Sequence, residues 1–286
     1  MARILILVHE RGSLSDTSYF LSAMSRVWTE QGHSVVEQRG PAAASPEAEI
    51  AFLHVDLTRV DPAYIEFLRR YPRTVNLRTA DISKRVVSRG IVQRGDGYDG
   101  PVIVKTNANC GGLKESSERR VTPWGRLLDS ARNRLPWSMR SRLNTAEYRV
   151  IESVDAVPLS VWRNHDLVVE RFEPEIKDGL YCLRTWVFCG DRETSSICYA
   201  RDPIVKSHTI IGREALDGVP DEIRVMRRAL GFEFGKFDYV LRDGRVVLFD
   251  ANRTPSLGDF PPAQYLPRVR ILAEGLESLL QGPSVA

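Results

Sequence analysis

The 286-residue sequence predicts a mixed α/β (α+β) protein, and three observations carry that expectation. The continuous apolar run from Ile4 to Val8 has the character of a strand buried on both faces, and it opens a strand, helix, strand order. From Val157 onward, predicted strands follow one another across short turns. The third observation is Gly235 to Gly258, GKFDYVLRDGRVVLFDANRTPSLG, a hairpin signal in which Asp238, Asp250 and Asn252 stand among β-branched and aromatic residues.

The first layer is built in order. After the polar loop HERGSLSDTS, Phe20, Met24, Val27 and Trp28 recur at helical spacing, and a strand from Ser34 to Glu37 follows Gly32. Ile50 to Val55 reads as a further buried strand. Asp61-Pro62 opens a helix carrying Ile65 and Leu68, and Thr74 to Leu77 closes a small parallel layer. The first strand is not followed by G-x-G-x-x-G, so a dinucleotide-binding reading lacks its phosphate fingerprint.

The short helix DISKRVVSRG leads through the Gly-Asp loop QRGDGYDG to the strand PVIVK, which ends at Lys105. In the following TNANCGG, the small residues and Gly111-Gly112 allow backbone N–H groups to approach an anion. Lys105 beside this loop reads either as a phosphate clamp or as a solvated strand end.

Residues 119 to 149 hold eight arginines against Asp129 and Glu147, a charge of +6 that leaves the rest of the chain at −3. Guanidinium groups in such number suit phosphate or carboxylate partners, as a mobile lid or substrate contact, or are plain solvated surface. Nothing in the segment matches a nucleic-acid module. Pro123, Trp124, Pro136 and Trp137 interrupt any long helix.

Val157 to Trp162 and Leu167 to Phe172 are expected to be strands around a turn at 163–166. Glu170, Arg171 and Phe172 then lie at a strand end, ahead of the acids Glu173, Glu175 and Asp178. In the strand Tyr181 to Cys189, Arg184 shares a face with Trp186 and Phe188, and a buried or cleft arginine requires an anion. Lys206 adds a further cation, which reads equally as a plain surface lysine or as a functional one. A helix containing Ile223 and Met226 ends at Gly231, and Val269 to Leu280 defines one terminal amphipathic helix.

The acids of the hairpin can share a divalent cation only in one register. A two-residue loop at 243 and 244 places Asp238 opposite Phe249 and sends Asp250 to the other face. A three-residue loop, 242 to 244, with Gly244 as a left-handed bulge residue pairs Asp238 with Leu248 and unites Asp238, Asp250 and Asn252 on one face. The second register is expected, with Phe237, Tyr239 and Phe249 turned to the core.

Composition is that of an ordinary soluble chain, 43% hydrophobic and 27% charged with a net charge of +3. The opening MARILILVHE is too short in its apolar part and charged too early for a secretory signal, so a cytoplasmic location is expected. Cys110, Cys182, Cys189 and Cys198 have no C-x-x-C spacing and read as reduced, mostly buried thiols.

The order of these parts resembles the ATP-grasp superfamily, and in particular its carboxylate-amine ligases such as ribosomal-protein glutamate ligases, glutathione synthetases and D-alanine ligases. The residues that carry the likeness are a strand ending in lysine before a Gly-rich loop, V-V-E-R-F, an arginine-bearing strand, and the hairpin ending D-A-N. It spans about residues 80 to 260. The resemblance implies an ATP-grasp fold over residues 79–286 behind an N-terminal Rossmann-like pre-ATP-grasp domain at 1–78.

It also implies roles. Asp238, Asp250 and Asn252 would hold Mg²⁺ against the phosphates of ATP; Lys84, Lys105, Gly111 and Gly112 would serve the phosphates. Glu170, Arg171 and Phe172 would present backbone to adenine, and an acid among Glu173, Glu175 and Asp178 would take the ribose. Arg184, Lys105 and Lys206 would act on the transferred phosphoryl group. The sequence departs from the pattern at Asp250, where glutamate is usual, at Cys182, where an acid is common, and at Arg253-Thr254-Pro255.

The implied activity is an ADP-forming ligase that joins small-molecule or peptide carboxylate and amine substrates through an acyl phosphate. A kinase acting on a hydroxyl and a non-catalytic ATP-binding regulator are the alternatives. A homodimer is compatible with the apolar helix faces; membrane and nucleic-acid partners are not expected.

Overall fold

The computed structural model describes residues 1–258 and 261–282. In the first layer, β1 (Arg3–Val8), α1 (Phe20–Glu30), β2 (Ser34–Arg39), β3 (Ile50–His54), α2 (Pro62–Leu68) and β4 (Thr74–Val75) form a parallel sheet of order β2-β1-β3-β4. Ile4 to Leu7 are fully buried because both faces of this sheet are covered. Asp61 caps α2 by accepting from the Ala63 N–H at 2.9 Å, with Pro62 in the first turn, where its missing donor costs nothing.

Next come α3 (Lys84–Val87), β5 (Val102–Thr106), α4 (Leu113–Arg119), α5 (Pro123–Asn133), β6 (Arg149–Ile151), α6 (Leu159–Trp162) and β7 (Leu167–Arg171). Strands β6, β5 and β7 make an antiparallel sheet of three. Residues 157–162, expected as a strand, are instead a turn and α6. The fixed φ of Pro158 suits a helix entry, and one turn suffices to insert Val161 under the small sheet.

The larger sheet contains β8 (Glu175–Lys177), β9 (Leu180–Cys189), β10 (Arg192–Ala200), β11 (Ile210–Leu216), β12 (Phe234–Arg242) and β13 (Arg245–Asn252), in the order β11-β10-β9-β12-β13 with β8 on β9. Helix α7 (Asp221–Leu230) precedes β12. The expected single terminal helix is two, α8 (Pro262–Ala273) and α9 (Leu276–Gln281). They part at Gly275, where a Cβ would stand 1.9 Å from the Cys189 carbonyl oxygen; the chain passes too close to β9 for any side chain there.

The six-stranded sheet separates two environments. One face joins the first layer in a common core in which Trp28, Phe52, Phe234, Val269 and Leu272 meet. The other packs Trp186, Phe188, Phe237 and Tyr239 beneath α7 and α3. Among the described residues no helix is long and apolar enough to cross a membrane. All four cysteines are free thiols; Cys182, Cys189 and Cys198 are buried and Cys110 is exposed.

Candidate active site

The hairpin departs from its expected register in a way that preserves the chemistry. Arg242 pairs with Arg245, so the loop is the two-residue Asp243-Gly244, with φ of 50° and 77°, as a type I′ turn requires. Unbroken, that register would part the acids. The ladder shifts between Asp238 and Tyr239: Tyr239 faces Leu248, Asp238 faces Asp250, and Phe249 is the extra residue of a β-bulge. The bulge lies beside the acids, not at the turn. Asp238, Asp250 and Asn252 thus share one face, with Asn252 opposite Lys236. Phe249, expected in the core, turns toward the small sheet, where the Lys105 ammonium lies 4.7 Å from its ring centroid.

Around the paired acids stand four lysines from four elements. Lys236 Nζ is 2.9 Å from Asp238 Oδ2, and Lys84 Nζ is 3.6 Å from Asp250 Oδ2. Lys105 Nζ contacts Glu170 Oε2 at 2.6 Å, across the β5–β7 ladder. Lys206, in the turn after β10, lies over the Tyr148 ring at 5.9 Å. Burial disfavours the ammonium of Lys84, but Asp250, with Tyr148 and Glu170, outweighs it and holds its pKa above the ordinary value. For Lys236 burial is likewise outweighed, here by Asp238. Lys206 goes the other way: burial dominates, Asp250 opposes it, and Lys105 adds repulsion, so its pKa is lowered. Burial pushes the Tyr148 phenol up to about 12.

The donor set fits a hard divalent cation. Oδ1 of Asp238 and Oδ1 of Asp250 are both buried without a hydrogen-bond partner, on facing positions of one ladder. Asn252 Oδ1 accepts from the Thr254 N–H at 2.9 Å and lies 3.1 Å from the Thr254 hydroxyl, which also reaches Asp56 Oδ1 at 2.8 Å. That hydroxyl has one proton, and the ionised carboxylate is the stronger acceptor, which leaves Asn252 Oδ1 a lone pair. Among the described residues no group of three or more His, Cys, Asp or Glu side chains converges, so a cation here would rest on the two acids, the amide and its own ligands.

The Gly-rich loop packs directly on this strand. Cys110, Gly111 and Gly112 have φ of 48°, 63° and 73°, and a Cβ on Gly111 would stand 2.8 Å from the Leu143 carbonyl oxygen. Asn109 donates through Nδ2 to the Ala251 carbonyl at 3.0 Å. The loop is therefore pinned one residue from Asp250.

Other expected residues lie elsewhere. Tyr239 pairs with Arg184 and Thr185 with Asp238, so alternation places Arg184 on the face opposite the acids. Its anion is Glu175, which accepts from Nε and Nη2 at 2.7–3.0 Å. Arg213, opposite Cys198, is instead on the acids' side of the sheet. The N–H groups of Arg171 and Phe172 are committed to the Gly90 and Pro101 carbonyls, so only their carbonyls, or backbone beyond them, remain for a base; Glu170 spends its side chain on Lys105. Asp178 and Gly179 are the left-handed pair of the β8–β9 turn, and Asp178 is exposed at its tip. Glu173, partly buried, is the acid nearest the end of β7. Of the arginine-rich segment, Arg119 and Arg120 hold Asp129, Arg140 pairs with Glu147, and Arg149 covers Trp137.

The residues missed from sequence are Lys236, Phe249 and Tyr148. Lys236 had a signal: it stands two before Asp238 in a strand, so it must share its face. Tyr148 had none, since it arrives from outside both motif-bearing strands.

No protein-family model matches the chain, nor does any curated protein. Solved structures do. D-alanine--D-alanine ligase from Bacillus anthracis aligns with a TM-score of 0.50 at 12% identity, over 98% of this chain and 97% of that one. A RimK domain protein ATP-grasp from Sphaerobacter thermophilus aligns with a TM-score of 0.50 at 16% identity, over 98% and 100%. The chain has the ATP-grasp fold.

Proposed function

We propose that the protein is an ATP-dependent ligase that activates a substrate carboxylate as an acyl phosphate, releases ADP, and joins the acyl group to an amine. The observation that carries the reading is the pair of unpartnered carboxylate oxygens on facing positions of β12 and β13, ringed by Lys84, Lys105, Lys206 and Lys236. Mutually facing acids beside several cations suit a polyphosphate and its counter-ion better than a proton-transfer pair. The similarity to ligase structures supports the same fold-level expectation.

Asp238, Asp250 and Asn252 would hold Mg²⁺, whose chemistry there is to neutralise phosphate charge and polarise a phosphorus–oxygen bond. The lysines then turn from the acids to phosphate oxygens. Lys84 and Lys236 remain charged because the acids hold their pKa values up. Lys105 is aimed by Glu170 on one side and by the Phe249 ring on the other. Lys206, whose charge burial and the neighbouring Lys105 disfavour, is relieved by an arriving anion, which suits it to the phosphoryl group in flight.

A substrate carboxylate oxygen bonds to the γ-phosphorus as the bond to the β,γ-bridging oxygen breaks and ADP leaves. The amine nitrogen then attacks the acyl carbon, phosphate departs, and one N–H proton is lost. No side chain needs to act as nucleophile. Arg184, tied to Glu175, serves the sheet.

The test is a screen of acids and amines for ADP and phosphate release, with hydroxylamine added to trap the acyl phosphate. Hydroxamate and ADP are expected, and Asp238→Asn with Asp250→Asn should lower the rate at least a thousandfold with the fold retained. ADP release without hydroxamate would favour transfer to a hydroxyl, and AMP as product would rule out the proposed step.

A further inference from the structure

A second cluster of cations lies on the other face of the six-stranded sheet. A cavity of about 480 Å³ opens there between α7 and the end of the first layer. Its walls are Arg78, Arg224, Arg227 and Arg228, with Phe232 and Glu233 at the turn into β12. Trp186 underlies it, and Arg224 and Arg227 lie across that ring at 5.7 and 5.6 Å, so a ligand meets guanidinium groups rather than the indole.

The charges do not cancel. Arg224 is neutralised by Glu193, with contacts of 2.5 and 2.6 Å. Arg227 donates to the carbonyls of Gly190, Phe232 and Glu233 and makes no direct ion pair among the described residues, the Glu233 and Glu193 carboxylates acting on it only through space. Arg78 donates to the Arg228 carbonyl at 3.3 Å and makes no direct ion pair among the described residues, and its side chain is seated against Gly231. The Arg228 guanidinium has no hydrogen bond or ion pair among the described residues. Glu233 is the one acid of the lining, and it accepts from the Asn76 N–H at 2.6 Å, with its pKa raised by burial. Arg78, Arg227 and Arg228 thus line one hollow with Glu233 as the acid that acts on the first two through space, an excess of positive charge, and Arg78 and Arg228 are exposed at its mouth.

Such an array costs folding free energy through mutual repulsion and is relieved by an oxyanion, which the planar fork of arginine matches with two parallel hydrogen bonds. The volume is within the range of small-molecule sites. The sheet separates the hollow from the paired aspartates, since Trp186 and Asp238 lie on opposite faces. We propose that the cavity between Arg78, Arg227 and Arg228 is a second anion site, distinct from the catalytic cleft, for a small polyvalent oxyanion, either a phosphate compound or a polycarboxylate.

The experiment is calorimetric titration of the full chain with inorganic pyrophosphate and, in a separate arm, citrate. The protein carries Lys105→Ala and Lys206→Ala, which removes two cleft cations. One equivalent is expected to bind, with affinity falling steeply as salt is raised; the tighter arm names the source. Arg78→Glu with Arg228→Glu should weaken binding at least tenfold, and the milder Arg228→Gln about threefold; both positions are exposed and carry little of the fold. Absence of binding in the lysine variant, or undiminished binding in both arginine variants, would overturn the site.

Discussion

At the scale of single residues, the site and its surroundings differ in what burial does to charge. Acids of opposite sign beside Lys84 and Lys236 compensate their burial, whereas His54 lacks such compensation. Burial lowers the pKa of His54 from 6.5 to about 4, although Asp56 and Asp16 pull it upward; Arg253 pushes in the same direction as burial. Its ring meets Tyr19 edge-on at 5.2 Å, and its Nδ1 is buried without a partner. The unfolded chain therefore binds a proton that the native one refuses between pH 6.5 and 4, and stability falls as pH is lowered through that window. The full effect is on the order of 3 kcal/mol. Urea unfolding at pH 7.5 and pH 5 should show the loss, and His54→Gln should flatten the dependence above pH 5. An unchanged slope in the variant would move the acid sensitivity to another group.

At the scale of elements, the hairpin explains both what could be read in advance and what could not. Lys105 at its strand end and the common face of Asp250 and Asn252 were legible because strand-end position and alternation are local properties, whereas the pairing of Asp238 with Asp250 rests on the bulge. The turn was legible as a turn, but Asp243-Gly244 is itself sufficient for a two-residue loop, and only packing across the cleft, with Phe249 under Lys105, accounts for a bulge five residues later. Arg184 was misplaced for the same reason. Its face was read correctly, but which face borders the cleft depends on α7 covering the other one. The bulge supports a prediction. Removing Phe249 outright leaves Leu248 opposite Tyr239 and brings Asp250 next in a regular ladder, still opposite Asp238. On the proposed function, the deletion variant should still be stabilised by Mg²⁺, read as a thermal shift, while its KM for ATP rises about tenfold through loss of the ring beneath Lys105. Loss of the Mg²⁺ effect would mean that the bulge itself sets the acids. The Gly-rich loop gives the complementary case: Gly111→Ala adds left-handed strain and a clash with the Leu143 carbonyl, about 1–2 kcal/mol, and should weaken nucleotide binding without altering the secondary structure seen by circular dichroism.

At the scale of the molecule, the division at residues 78 and 79 is proposed as a boundary of topology, not of cooperativity. One core contains Trp28 and Phe52 from the first layer with Phe234 and Leu272 from the second, so neither side can be closed alone. Two polar residues reinforce it. Asn76, at φ 68°, accepts from the N–H groups of Glu233 and Phe234 and donates to the Phe234 carbonyl at 2.8 Å, holding the start of β12 against the first layer. Arg253, fully buried immediately after Asn252, donates to the carbonyls of Val55, Leu57, Thr58 and Thr79. The hairpin bearing the acids is therefore fastened to the first layer at its open end, where β12 begins and β13 ends. A lysine cannot supply that spread of donors, and each buried carbonyl left unpaired costs about 1–3 kcal/mol. Arg253→Lys should accordingly lower stability by more than about 3 kcal/mol, and it should do so without dividing the unfolding transition. Native-state hydrogen exchange decides the matter: amides of β1 and β3 should open with the same free energy as those of β9 and β12, in the wild type and in the variant alike. If the first layer exchanged through a separate opening of lower energy, the shared core would be an interface between independent domains, and residues 79–282 should then fold when expressed without it.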